Sequence, residues 1–168
     1  NPTTVDTVDL HNPSRYMPTN NSTSVVIGWT GTQSTLPYVI SLIPVLEKLE
    51  EKFPGQVRLL IIANKDPEIK SKFIDFIPWS KKTEVEDLLK VDIGVMPLPD
   101  DIWAKGKCGF KALQYMALEI PALVSPVGVN TEIVDNAING YWCNTAGEWI
   151  DSMEKLIANK ELRKKLLS

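Results

Sequence analysis

Cysteine and histidine are scarce in this chain, with two Cys and one His among 168 residues. Cys108 and Cys143 are too few for a disulfide framework. Cys143, following Tyr141-Trp142, reads as a buried core thiol, whereas Cys108 stands in a Lys/Gly segment. No cluster of His, Cys and carboxylates has ligand spacing, so no metal is expected. A basic excess is also absent: the net charge is −3 and the pI about 5.2, which argues against nucleic acid as a partner. No apolar run is long enough to cross a bilayer. Asn1-Pro2-Thr3-Thr4 lacks the basic and apolar regions of a signal peptide and is not preceded by an initiator Met. The expectation is a cytoplasmic chain excised from a longer protein.

What is present is enough chain for one domain with a proper core. Residues 1–22 are rich in Pro, Asn, Thr and Asp without sustained periodicity, and read as a linker or the tail of a preceding domain. His11 lies there and reads as an exposed linker residue. Two Asn-x-Ser/Thr triplets, at Asn20 and Asn21, can mark glycosylation in a secreted protein; in a segment so rich in Asn, Ser and Thr, chance is the favoured reading. Residues 23–168 alternate between apolar runs and helical periodicity. Strands are expected at Ser24–Trp29, Val57–Ala63, Phe73–Ile77, Asp92–Met96, Ala122–Ser125 and Gly140–Cys143. The period of Leu42, Val45, Leu46 and Leu49 predicts a helix over Leu36–Phe53, kinked at Pro44. Thr83 with Glu86, and Thr145 with Glu148, have capping-box spacing and open helices to Lys90 and Ala158. Further helices are expected over Lys111–Leu118 and, capped by Asn130, Thr131–Asn136. Residues 160–167 form a basic amphipathic end. Strands apolar throughout need cover on both faces. The β-α alternation therefore predicts a doubly wound parallel sheet, Rossmann-like, whose ligands bind outside the carboxyl ends of the strands.

That rule singles out three loops. Gly28–Thr35 joins the first strand to a helix through Gly31 and Thr32. Such a loop is either a phosphate cradle or a solvated turn capped by Thr35. Asp101–Ala117 gathers Lys105, Lys107 and Lys111 with Gly106 and Gly109 before a helix, a pattern that suits a diphosphate; the other reading is a solvated basic loop. Ser125–Glu132 repeats the strand, glycine loop and capped helix. Trp29, Trp79 and Trp103 fall in or beside loops after strands, placed to stack on a base or sugar, whereas Trp142 and Trp149 read as core. A phospho-receiver domain is disfavoured, because Asp92 opens its strand and lysines follow that strand's exit.

The ordered set GKCGFKALQYMALEIPALVSPVGVNTEIV, with Asn139-Gly140 after it and the earlier segments around Ile27-Gly28-Trp29 and Asp92–Pro99, resembles the C-terminal domain of the retaining GT-B glycosyltransferases of family 4. The resemblance covers roughly residues 23–168. It implies the C-terminal half of a GT-B enzyme of hexosyltransferase type, working in polysaccharide biosynthesis. It implies a nucleotide-diphosphate sugar as substrate, no cofactor or essential metal, and an acceptor held by a domain N-terminal to this chain. Any membrane association would run through that domain, and this piece alone would be inactive.

By the same resemblance, the helix glutamate that grips the donor ribose falls at Gln114, and a second family glutamate, which contacts the donor sugar, falls at Gly106. Lys111 and the amides of Gly109, Phe110, Lys111 and Ala112 match the loop that holds the diphosphate. The Arg and Lys that the family carries near the first strand are replaced by Trp29 and Thr35, leaving Lys107 and Lys111 to supply charge. The diphosphate is thus expected against Gly31-Thr32 and Lys107–Ala112, and the base near Ile77, Pro78 and Trp79. No catalytic residue is assigned. Glu119 stands at a helix end where the family commonly has Gly; a left-handed backbone there would cost about 1 kcal/mol. The departures at Gln114 and Gly106 keep a second reading open: a non-catalytic α/β module that binds a nucleotide or a protein partner for regulation.

Overall fold

The computed structural model describes residues 24–98, 110–127, 130–134 and 136–166. The linker-like arm, Lys107, Gly109 and Trp103 fall outside the described residues. Six strands form one sheet: β1 (Val25–Gly31), β2 (Val57–Ala63), β3 (Ile74–Pro78), β4 (Ile93–Met96), β5 (Ala122–Val124) and β6 (Gly140–Trp142). Their order is β3-β2-β1-β4-β5-β6 and every pairing is parallel. The chain therefore winds outward from β1 to β3, then returns to β4 and winds the other way. The reversal lies between β1 and β4, where a doubly wound sheet opens a crevice.

The burial of the strands follows from this position. Neighbouring residues of β2 point to opposite faces: Leu59, Ile61 and Ala63 join one core cluster, Leu60 and Ile62 the other. The first face is covered by α1 (Leu36–Ile40), α2 (Ile43–Lys52), α6 (Ala146–Ala158) and α7 (Lys160–Lys165), through Val39, Leu46, Leu49, Met153 and Leu156. The second is covered by α3 (Glu84–Leu88), α4 (Phe110–Ala117) and α5 (Asn130–Ile133), through Val85, Leu88, Ala112, Tyr115 and Val134. Tyr115 is fully buried and its hydroxyl donates to the Val95 carbonyl at 3.0 Å; burial pushes the phenol far above its ordinary titration range. The ring lies flat enough on β4 that a Cβ at Gly94 would stand 2.5 Å from it, so helix and sheet can meet here only over glycine.

Three local expectations are corrected. The segment Leu36–Phe53 is two helices rather than one kinked helix. Pro44 offers no N–H, and its ring excludes the carbonyl four residues back; that residue, Ile40, is where α1 ends, and Pro44 takes the first turn of α2, where a missing N–H costs nothing. Thr83 does not form a capping box with Glu86. Its hydroxyl donates instead to Asp87 at 2.9 Å, and Lys90 binds the same buried carboxylate at 3.2 Å. Asn130 lies inside the first turn of its helix, and its side-chain amide donates to the Ser125 carbonyl.

The second capping box is present. Thr145 accepts from the Glu148 amide at 3.2 Å, while the Glu148 carboxylate accepts from the amides of Thr145 and Asn144, each at 3.0 Å. The C-terminus of α4 closes in a Schellman arrangement: the Ile120 amide donates to the Tyr115 carbonyl and the Glu119 amide to that of Met116. This closure requires a left-handed residue at position 119, and Glu119 has φ +59°.

Candidate functional site

A cleft of about 310 Å³ opens at the carboxyl ends of the strands, lined by Thr30, Gly31, Thr32, Asn64, Trp79, Glu84, Lys111 and Gln114. It is assembled from four separate chain segments. The first is the exit of β1. Gly31 ends the strand over the ring of Trp29; a Cβ at position 31 would meet that ring at 2.3 Å and the Thr35 hydroxyl at 2.7 Å. Beyond it the chain turns sharply into a single 3-10 turn, Gln33–Thr35. The Thr35 hydroxyl accepts from the Thr32 amide at 3.0 Å and donates to the Thr32 carbonyl at 3.1 Å. Thr35 thus points back to brace the loop rather than forward to cap α1, leaving the exposed Thr32 hydroxyl against Ser34 at 2.9 Å.

The second segment is the exit of β2, where Asn64 accepts from the Gln33 amide at 2.8 Å and ties the two loops together. The third runs from the end of β3 into α3. The Trp79 amide donates to the Ala63 carbonyl at 2.8 Å, extending the β2 pairing past Pro78, and the residue remains 44% exposed. Glu84, the first residue of α3, follows on the same wall. The fourth segment is α4, whose first turn places the half-buried Lys111 on the cleft and whose second places Gln114 there. Gln114 is 2% exposed, and its amide donates to Glu84 at 2.5 Å.

The structure thus brings Gly31, Thr32, Trp79, Lys111 and Gln114 to one cleft. Pro78 ends β3 beside it but does not line it. Phe110 opens α4, and its side chain is outside the described residues. The Ala112 side chain is fully buried in the core beneath the cleft, which leaves its backbone alone as a possible contact. Trp29 is corrected: it is 2% exposed within the first core cluster and supports the Gly31 loop from below instead of offering a stacking face. Trp149 is core, as expected, and Trp142 is half-buried, its indole donating to the Val134 carbonyl at 2.6 Å. Two cleft residues, Asn64 and Glu84, escaped sequence reasoning. Asn64 had a usable signal, since it directly follows an apolar strand. Glu84 had none, because its partner lies thirty residues away. Among the described residues, no group of three or more His, Cys, Asp or Glu side chains is placed to hold a metal, and no helix is long and apolar enough to cross a membrane.

A sequence model of the family described as glycosyl transferases group 1 matches residues 25–159, which include every described residue of this cleft. The chain belongs to that glycosyltransferase family. No curated protein matches it. Among solved structures, the C-terminal domain of the glycosyl transferase group 1 family protein LpcC from Francisella tularensis is similar at 20% identity, with a TM-score of 0.70 over 86% of this chain and 80% of that one. WaaG, a glycosyltransferase involved in lipopolysaccharide biosynthesis, matches at 14% identity and a TM-score of 0.73, over 88% of this chain and 41% of its own. HepE from Anabaena, solved in complex with UDP and glucose, matches at 14% and 0.70, over 87% and 42%. The chain therefore spans less than half the length of the last two. The fold is that of the Rossmann-like C-terminal domain of GT-B glycosyltransferases.

Proposed function

We propose that this glycosyltransferase-family domain binds a nucleotide-diphosphate sugar and serves retaining transfer of the sugar, family 4 chemistry, to an acceptor held by a domain N-terminal to residues 1–22. The observation that carries the proposal is the convergence of Gly31-Thr32, Trp79, Lys111 and Gln114 on one cleft at the carboxyl ends of the strands. An exposed indole offers a face for a base. A lysine in the first turn of a helix, opposite a glycine–threonine turn, suits a diphosphate. Lys107, Gly109, Phe110 and the Ala112 amide extend that phosphate side in the proposal, and Pro78 frames the base. Departure of the leaving group places negative charge on the diphosphate, and donors already aimed at it stabilise that transition state. No metal or other cofactor is part of the scheme, and the isolated domain is expected to bind without transferring. A cytoplasmic setting belongs to the same proposal; the free, buried Cys143 thiol suits a reducing compartment.

The presence of Gln114 where the family carries a charged glutamate favours a second reading, a non-catalytic nucleotide- or partner-binding regulatory module. A thermal-shift screen of UDP, GDP, ADP and their sugar conjugates tests the common element, since a ligand bound only by the native state raises the melting temperature. No shift with any of them defeats both nucleotide readings. Turnover of a nucleotide sugar by the chain joined to its acceptor domain then separates enzyme from module.

A further inference from the structure

We propose that Glu84, rather than Gln114, is the residue that receives the ribose hydroxyls of the bound nucleotide, with Gln114 acting as its positioning residue; the inference rests on the nucleotide reading above. A ribose diol presents two O–H donors and needs a strong acceptor. Glu84 is the one carboxylate among the described residues lining the cleft. Lys111 is a donor only, and the side-chain oxygens of Asn64 and Gln114 are neutral acceptors with two lone pairs each, one of Asn64's taken by the Gln33 amide, whereas Glu84 carries the charge that strengthens such a bond. Gln114 is almost wholly buried and gives its amide N–H to one oxygen of Glu84. An ionised carboxylate offers about four lone-pair sites across its two oxygens, so this bond fixes Glu84 while leaving capacity for two hydroxyls. Glu84 is half-buried and Trp79 stands five residues before it on the same wall. A base laid on that indole would thus carry its ribose toward the carboxylate. The arrangement moves the acceptor from α4 to α3 and uses the amide on α4 to aim it.

The test is calorimetric titration of the 168-residue chain and its variants with UDP and 2′-deoxy-UDP, or with the GDP or ADP pair if that base binds more tightly. The wild type is expected to prefer the ribonucleotide by about tenfold or more, the value of a hydrogen bond to a charged group. Glu84→Gln keeps an acceptor for the Gln114 amide, and should weaken the ribonucleotide most and the deoxynucleotide, which retains only the 3′-hydroxyl, less, so that the ratio of the two affinities falls toward one. Gln114→Ala should erode the same preference without abolishing it. Because each variant is read as a ratio of two ligands, a general loss of stability does not imitate the result. Retention of the full preference in Glu84→Gln, its complete loss in Gln114→Ala alone, or no preference in the wild type would overturn the assignment while leaving nucleotide binding intact. Failure of the wild type to bind any of the three ribonucleotides would overturn it together with the reading it rests on.

Discussion

Replacing Lys111 with Ala tests the phosphate side of the cleft. Lys111 is half-buried in the first turn of α4 and shares the cleft with Gly31 and Thr32 of the β1 loop. A diphosphate between them would take a charge-assisted hydrogen bond from the ammonium group, which contributes roughly 1.5–3 kcal/mol net. At about 1.4 kcal/mol per decade, this corresponds to a loss of roughly tenfold to a hundredfold in affinity. The ammonium is not fully withdrawn from water, so the lower end of that range is expected at physiological salt, where the Debye length is about 8 Å, and a larger loss at low salt. A nucleoside without phosphates should lose little. Titration of wild type and Lys111→Ala with UDP and with uridine, each at two salt concentrations, reads all of these together. Equal UDP affinity in the two proteins would refute the reasoning and place the phosphates against the Gly31 loop alone.

Glu119→Gly should stabilise the fold. A left-handed non-glycine residue costs about 1–2 kcal/mol, part of which glycine returns as extra chain entropy in the unfolded state. The net gain expected is about 0.5–1 kcal/mol, raising Tm by roughly 2–4 °C per kcal/mol for a domain of this size; an unchanged or lower Tm counts against the Schellman reading. The backbone hydrogen bonds from Thr145 and Asn144 hold the Glu148 carboxyl below its ordinary value of 4.5. A depressed carboxyl contributes stability that is fully present above pH 4.5 and lost as pH falls through the folded-state value. Wild type should therefore lose its stability advantage over Glu148→Gln on acidification below pH 4.5, as read by denaturant unfolding; an advantage constant with pH would contradict the capping box.

Much of this molecule was legible in the chain because it depends on local rules. Apolar runs such as Val57–Ala63, each followed by helical periodicity, require a parallel sheet covered on both faces, and the sheet has that form. Thr145 and Glu148 sit at the spacing at which a capping box closes, and it closes. Gly31, Thr32, Trp79 and Lys111 could be nominated because each follows a strand or opens a helix, the places where such sheets bind ligands; Gln114 is nominated by the family resemblance alone. Local rules fail where two segments compete for one space. Trp29 follows the same rule as Trp79, yet it faces the α1–α2 layer and is buried, since the direction of a side chain at a strand's end depends on which helix packs there. Pro44 reads as a kink from the sequence and makes a full break in the fold: α1 ends at Ile40, the residue whose carbonyl the proline ring excludes, and α2 starts afresh at Ile43. The pairing of Gln114 with Glu84 belongs wholly to tertiary structure. The sequence determined that a polar amide would stand at position 114; only the packing of α3 beside α4 decided that it would face a carboxylate, because the alignment of two helices across a sheet is set by how both fill the shared core.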